Sequence, residues 1–132
     1  MSRELMWLTL TVILTGVLWV PYILDRVAVR GLMGAMANPS PDDAPQSPWA
    51  RRLQCAHVNA VENLVIFATL VLTLQIMQHS TESTVIACAV YFWARLAHAV
   101  IYTFGIPVLR TLAFAVGFLA QIVLVVAVFG KL

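Results

Sequence analysis

The chain has 132 residues, of which 61% are hydrophobic and 11% charged, with a formal net charge of +2. A soluble domain this small must cover much of its surface with polar groups, and this composition cannot, so lipid is the expected solvent. The eight Lys and Arg residues stand singly or in pairs, which excludes the clustered basic stripe of a nucleic-acid binder.

The first apolar run, residues 5–24, holds 20 residues without a charge. That exceeds the ~7–15-residue core of a secretory signal. Asp25 and Arg26 follow it in place of a small-residue cleavage site, so it reads as a retained transmembrane helix. No proline lies between Asp25 and Met36, and the helix is expected to run on to about Ala37. Residues 38–48 contain four prolines together with Asp, Ser and Asn, which predicts an irregular polar loop with Asp42 and Asp43 simply solvated.

Three further spans follow at about 57–78, 85–104 and 111–130. Their apolar runs are too long and too little alternating for barrel strands. The links at 79–84 and 105–107 are short and force antiparallel neighbours. The expected fold is therefore all-α: one domain, 1–132, forming a four-transmembrane-helix up-down bundle. Arg26, Arg30, Arg51, Arg52 and Arg110 lie on the side of the first and third connections, against Arg3 and Lys131 on the other. The positive-inside rule puts the Pro-rich loop in the cytoplasm and both termini outside it; the expected location is an inner (cell) membrane.

Two helix faces carry polar groups. Arg52, Asn59 and Glu62, spaced by 7 and 3 residues, fall within a sector of about 80° on the second span. Arg95, His98 and Tyr102, spaced by 3 and 4, form one stripe on the third, with Tyr91 one turn earlier. Glu62 and Arg95 each cost about 2–3 kcal/mol at mid-membrane and demand partners. They either neutralise each other between packed helices or hold a polar ligand; the nearby Asn59, Asn63, His98, Tyr102, Arg30, Arg52 and Arg110 favour the ligand. His98 has a plain alternative as a neutral packing histidine, and His57 lies off the stripe and reads as structural. Cys55 and Cys88 make no metal-ligand or CxxC spacing and read as free thiols.

The stretch from Arg52 through Asn59, Glu62 and Asn63 resembles the second-helix signature of the MAPEG family, the membrane-associated proteins of eicosanoid and glutathione metabolism. Arg95, His98 and Tyr102, followed by Pro107 and Arg110, are similar to its third- and fourth-helix signature, and Arg30 with Ala35 to Pro39 is similar to its exit from the first helix. The whole chain is similar in layout to a bacterial-type member. The resemblance implies a homotrimer in the lipid bilayer with glutathione held between subunits near the cytoplasmic face. It implies glutathione contacts from Arg30, Asn59, Glu62, Arg95 and Tyr102, and a catalytic, thiolate-favouring role for Arg110; Arg52 and His98 join the binding candidates from their places on the same polar stripes. Glutathione carries two carboxylates and an ammonium, which several arginines and one carboxylate match.

The sequence departs from the family pattern at Cys55, where several members have a glutathione-binding arginine, and at Asn63, where some have an aromatic. The Tyr102-to-Arg110 spacing also differs by about one residue from some eukaryotic members. The expected activity is glutathione-dependent transferase or peroxidase chemistry on lipophilic electrophiles. The alternatives are a non-catalytic lipid- or glutathione-binding member and a small multidrug transporter. The transporter fits least, since residues 5–24 contain no acid.

Overall fold

The computed structural model describes residues 1–130; Lys131, counted above on the outer side, lies outside the described residues. Its helices are α1 (Arg3–Val17), α2 (Trp19–Met36), α3 (Pro48–Ile76), α4 (Glu82–Phe104) and α5 (Pro107–Val128). The first two form one apolar stretch, and together with α3, α4 and α5 they make four segments long and apolar enough to cross a membrane. The protein is thus an all-α, multi-pass integral membrane protein.

Local chemistry sets each helix end. Ser2 caps α1, its hydroxyl accepting from the Leu5 amide at 3.2 Å. The α1–α2 junction at Leu18 follows from Pro21, which has no N–H to give the Val17 carbonyl four residues back. α2 does reach Met36, but Gly31 inside it has φ 73°, so the helix kinks where an uninterrupted one is expected. Pro48 and Pro107 occupy first-turn positions of α3 and α5, where a missing N–H is harmless. Thr81 and Thr84 build a reciprocal capping box on α4. Gly105, at φ 76°, closes α4 in the left-handed conformation.

The two ends of the bundle show its antiparallel course. At one end Arg3 pairs with Glu82 at 2.8 Å, and the buried Glu4 accepts from Ser80 Oγ at 2.6 Å and Thr84 Oγ1 at 2.7 Å. At the other end, α2, the Pro-rich loop and the start of α3 gather near the end of α4. Between them Phe67 of α3 and Tyr91 of α4 stack at 3.9 Å, in a core with Leu8, Val71, Leu74, Cys88 and Leu124. In-span hydroxyls are satisfied within their own helices: Thr11 donates to the Trp7 carbonyl and Thr15 to that of Thr11, both at 2.8 Å. Hydrocarbon offers no other acceptor.

The Pro-rich loop is irregular but firmly tied. Asp43 is not simply solvated, as expected from sequence; it accepts from the Ser40 amide at 2.9 Å and pairs with Arg30 at 3.4 Å. Buried Asp25 accepts from the Ser47 amide at 3.0 Å, and Gln46 donates to the Tyr22 carbonyl at 2.7 Å. Bonds within the loop and to α2 together give this proline-rich segment, which lacks regular backbone pairing, its partners.

Candidate functional site

α3 is 29 residues long, about 44 Å, against a hydrocarbon core of about 30 Å. It is thus longer than the hydrocarbon is thick, with Arg51 and Arg52 in its first turns and the Asn59–Glu62 turn about three turns from its start. α4 runs alongside and brings Arg95, only 4% exposed, against Asn59: Arg95 Nη2 donates to Asn59 Oδ1 at 2.5 Å. Asn63 steadies the same turn by donating to the Asn59 carbonyl at 2.9 Å. Gln121 of α5, 3% exposed, donates to the Asn63 carbonyl at 3.2 Å. Gln121 is the polar residue that the sequence reading passed over; a lone amide in an apolar run was its only signal.

Glu62 does not pair with Arg95. It is exposed on the flank of α3, and the ion pairs among the described residues are Arg3 with Glu82 and Arg30 with Asp43. Mutual neutralisation of Glu62 and Arg95 within one chain is therefore corrected: Arg95 takes a neutral amide oxygen, and Glu62 faces outward.

Two clefts meet at Asn59 and Tyr102. One, of about 270 Å³, is lined by Asn59, His98, Tyr102, Arg110, Thr111 and Phe114. The other, of about 490 Å³, is lined by Gln54, Cys55, Val58, Asn59, Glu62 and Tyr102. The Arg110 guanidinium carbon lies 4.3 Å from the Tyr102 ring centroid, a cation–π contact that holds it over the first cleft. His98 is 3% exposed, meets Tyr102 edge to face at 5.5 Å, and has no hydrogen-bond partner for Nδ1 among the described residues. His98 lines the cleft as a residue while its Nδ1 is buried, so a polar ligand would satisfy that nitrogen only with a shift of the ring.

Asn59, Glu62, His98, Tyr102 and Arg110 thus line the two clefts, and buried Arg95 lines neither but is tied to them through Asn59. Arg52 and Arg30 stand apart from them within the chain. Arg52 Nε donates to the Thr103 carbonyl at 2.9 Å, capping the last turn of α4. Arg30 Nε donates to the Ala44 carbonyl at 2.8 Å and so holds the Pro-rich loop. His57 is structural, its Nδ1 bonded to the Tyr22 hydroxyl at 2.8 Å.

The profile of the MAPEG family matches residues 5–130, the four helices and the site together. The chain belongs to the MAPEG family. Comparisons with curated proteins and with solved structures each find no match. Membership makes this MAPEG chain an integral membrane protein of a class associated with glutathione and eicosanoid metabolism. Among this MAPEG protein's described residues, no group of three or more His, Cys, Asp or Glu side chains is placed to hold a metal.

Proposed function

We propose that the protein is a glutathione-dependent transferase or peroxidase acting on lipophilic electrophiles, as a homotrimer with glutathione bound between subunits near the cytoplasmic face. One observation supports the reading: Glu62 sits exposed on the flank of an apolar, span-length helix, without an ion pair among the described residues, one turn from the Asn59 that orients buried Arg95. A carboxylate is not left to lipid without cost. A neighbouring subunit and an ammonium-bearing ligand would remove that cost together.

The residues fit the ligand's charges. Glu62 suits the ammonium, Arg95 with Asn59 a carboxylate, and His98 Nδ1 a further polar group. Glutathione supplies a thiol, whose thiolate form is the nucleophile. Arg110, braced on Tyr102, favours that thiolate and steadies charge during attack on an electrophile arriving through the bilayer. Arg30 and Arg52 enter this reading only through contact across a subunit boundary.

Cys55 lines the Glu62 cleft at the position where several members carry an arginine, which supports a second reading: glutathione or lipid binding without turnover. Calorimetry with millimolar glutathione on the purified protein tests the shared part, since no heat of binding removes both forms of the site. Turnover of a model aryl halide then separates enzyme from binding protein.

A further inference from the structure

A second polar cavity lies under the Pro-rich loop, outside the proposed glutathione site. Arg26 and Arg30, one turn apart on α2, and Arg51 in the first turn of α3 line a space of about 280 Å³ with Gln46 and Gln54. Asp43 is the one carboxylate among its lining residues, against three arginines, and it pairs with Arg30 at 3.4 Å. The arrangement is built rather than accidental. Buried Gln46 accepts from Arg26 Nε at 3.3 Å and from Gln54 Nε2 at 2.8 Å, while Arg30 is fixed by the Ala44 carbonyl. Arg26 commits only its Nε to the chain, and no hydrogen bond or ion pair within the described residues engages the Arg51 side chain.

The depth of this cavity is set by sequence. Arg26 is two residues beyond the charge-free run of the first span, and Arg51 lies in the part of α3 that overshoots the hydrocarbon. This is the level of lipid headgroups. Guanidinium forks recognise phosphate through paired N–H donors, and basic pockets at this level of a helix bundle suit anionic headgroups.

We propose that this cavity is a binding site for a phosphate group, presented by an anionic phospholipid headgroup or as the free anion. The inference goes beyond the glutathione reading: its three arginines line neither glutathione cleft, Gln54 is the residue the two sites share, and Arg30, set aside from that cleft within the chain, is a wall of this one.

The test equilibrates purified protein with phosphatidylglycerol or phosphatidylcholine and reads retained lipid by native mass spectrometry, with inorganic phosphate as the free-anion arm. Preferential retention of phosphatidylglycerol, reduced about ten-fold by Arg26→Gln/Arg51→Gln, supports a headgroup site. Equal retention of both lipids, with inorganic phosphate raising the wild-type thermal midpoint but not that of the double variant, supports the site with a free anion as its occupant. Arg51→Gln alone disturbs no side-chain bond among the described residues, so it keeps the test valid if the double variant folds poorly. Neither lipid preference nor a phosphate effect in wild type, or either one unchanged by these substitutions, overturns the proposal. Glutathione binding is expected to persist in both variants, so failure of this site and failure of the glutathione site are distinguishable.

Discussion

Arg95 of α4 and Asn59 of α3 are joined across the bundle by a single charge-assisted hydrogen bond, Nη2 to Oδ1 at 2.5 Å, with no carboxylate taking part. The buried cation is therefore positioned by a neutral side chain, which leaves its charge available to a ligand. Asn59→Ala removes that acceptor and should destabilise the protein by about 1.5–3 kcal/mol, the range for a hydrogen bond to a charged group. Asn59→Asp restores an acceptor and should recover much of it. Thermal unfolding of the three proteins in one detergent checks the order; equal midpoints for wild type and Asn59→Ala would show that the bond is replaced.

Gly105 serves two demands at once. Its φ of 76° suits a left-handed cap, and a Cβ there would come within 3.2 Å of Arg52 Nε. Gly105→Ala is expected to cost about 1 kcal/mol from the backbone, plus whatever the displaced Arg52–Thr103 bond contributed. Combined with Arg52→Ala, the penalty should be less than the sum of the two single changes, because the crowding disappears with the side chain. Strict additivity in a double-mutant cycle would argue against the shared contact.

Glu62→Ala should weaken glutathione binding by about 2 kcal/mol or more, leaving the ligand ammonium unpaired in a desolvated cleft. Because Glu62 is exposed in the single chain, its removal should change the stability of an isolated subunit little. Titration calorimetry reads the first effect. Undiminished affinity in the variant would release Glu62 from the ligand.

A three-fold homo-oligomer is the expected solution state, since an exposed Glu62 beside a half-open cleft calls for a second wall. Native mass spectrometry in mild detergent reports this directly, and monomers or dimers alone would remove the neighbour from the site.

Arg110→Ala is expected to reduce conjugation of a model aryl halide about 100- to 1000-fold while largely preserving glutathione affinity. Tyr102→Leu, which deletes the ring beneath Arg110, should lower the rate by a smaller factor through loss of positioning. The ultraviolet absorbance of bound thiolate distinguishes this from a purely topological arginine: an equal signal in wild type and Arg110→Ala leaves Arg110 without the electrostatic role.

The sequence by itself determined the solvent, the four membrane-spanning segments and some of their ends, but not the break at Leu18 or the kink at Gly31. Apolar runs of spanning length admit only helices in lipid, and Pro48, Thr81, Gly105 and Pro107 mark ends through chemistry confined to one or two turns. It also placed Asn59 and Glu62 on one face and Arg95, His98 and Tyr102 on another, because helical periodicity is a local property. Tertiary structure decided which groups meet. Whether Arg95 reaches Glu62 or Asn59, one turn apart on the same face, depends on how far α4 is shifted along α3, a displacement of a few ångströms that no spacing records. The same register sends Arg52 to the end of α4, while the course of the loop brings Arg30 to Asp43 and the packing of α5 on α3 brings Gln121 to the carbonyl of Asn63. Long polar side chains in a bundle without bulk water take whichever buried partner lies within reach, and reach is fixed only when the helices pack.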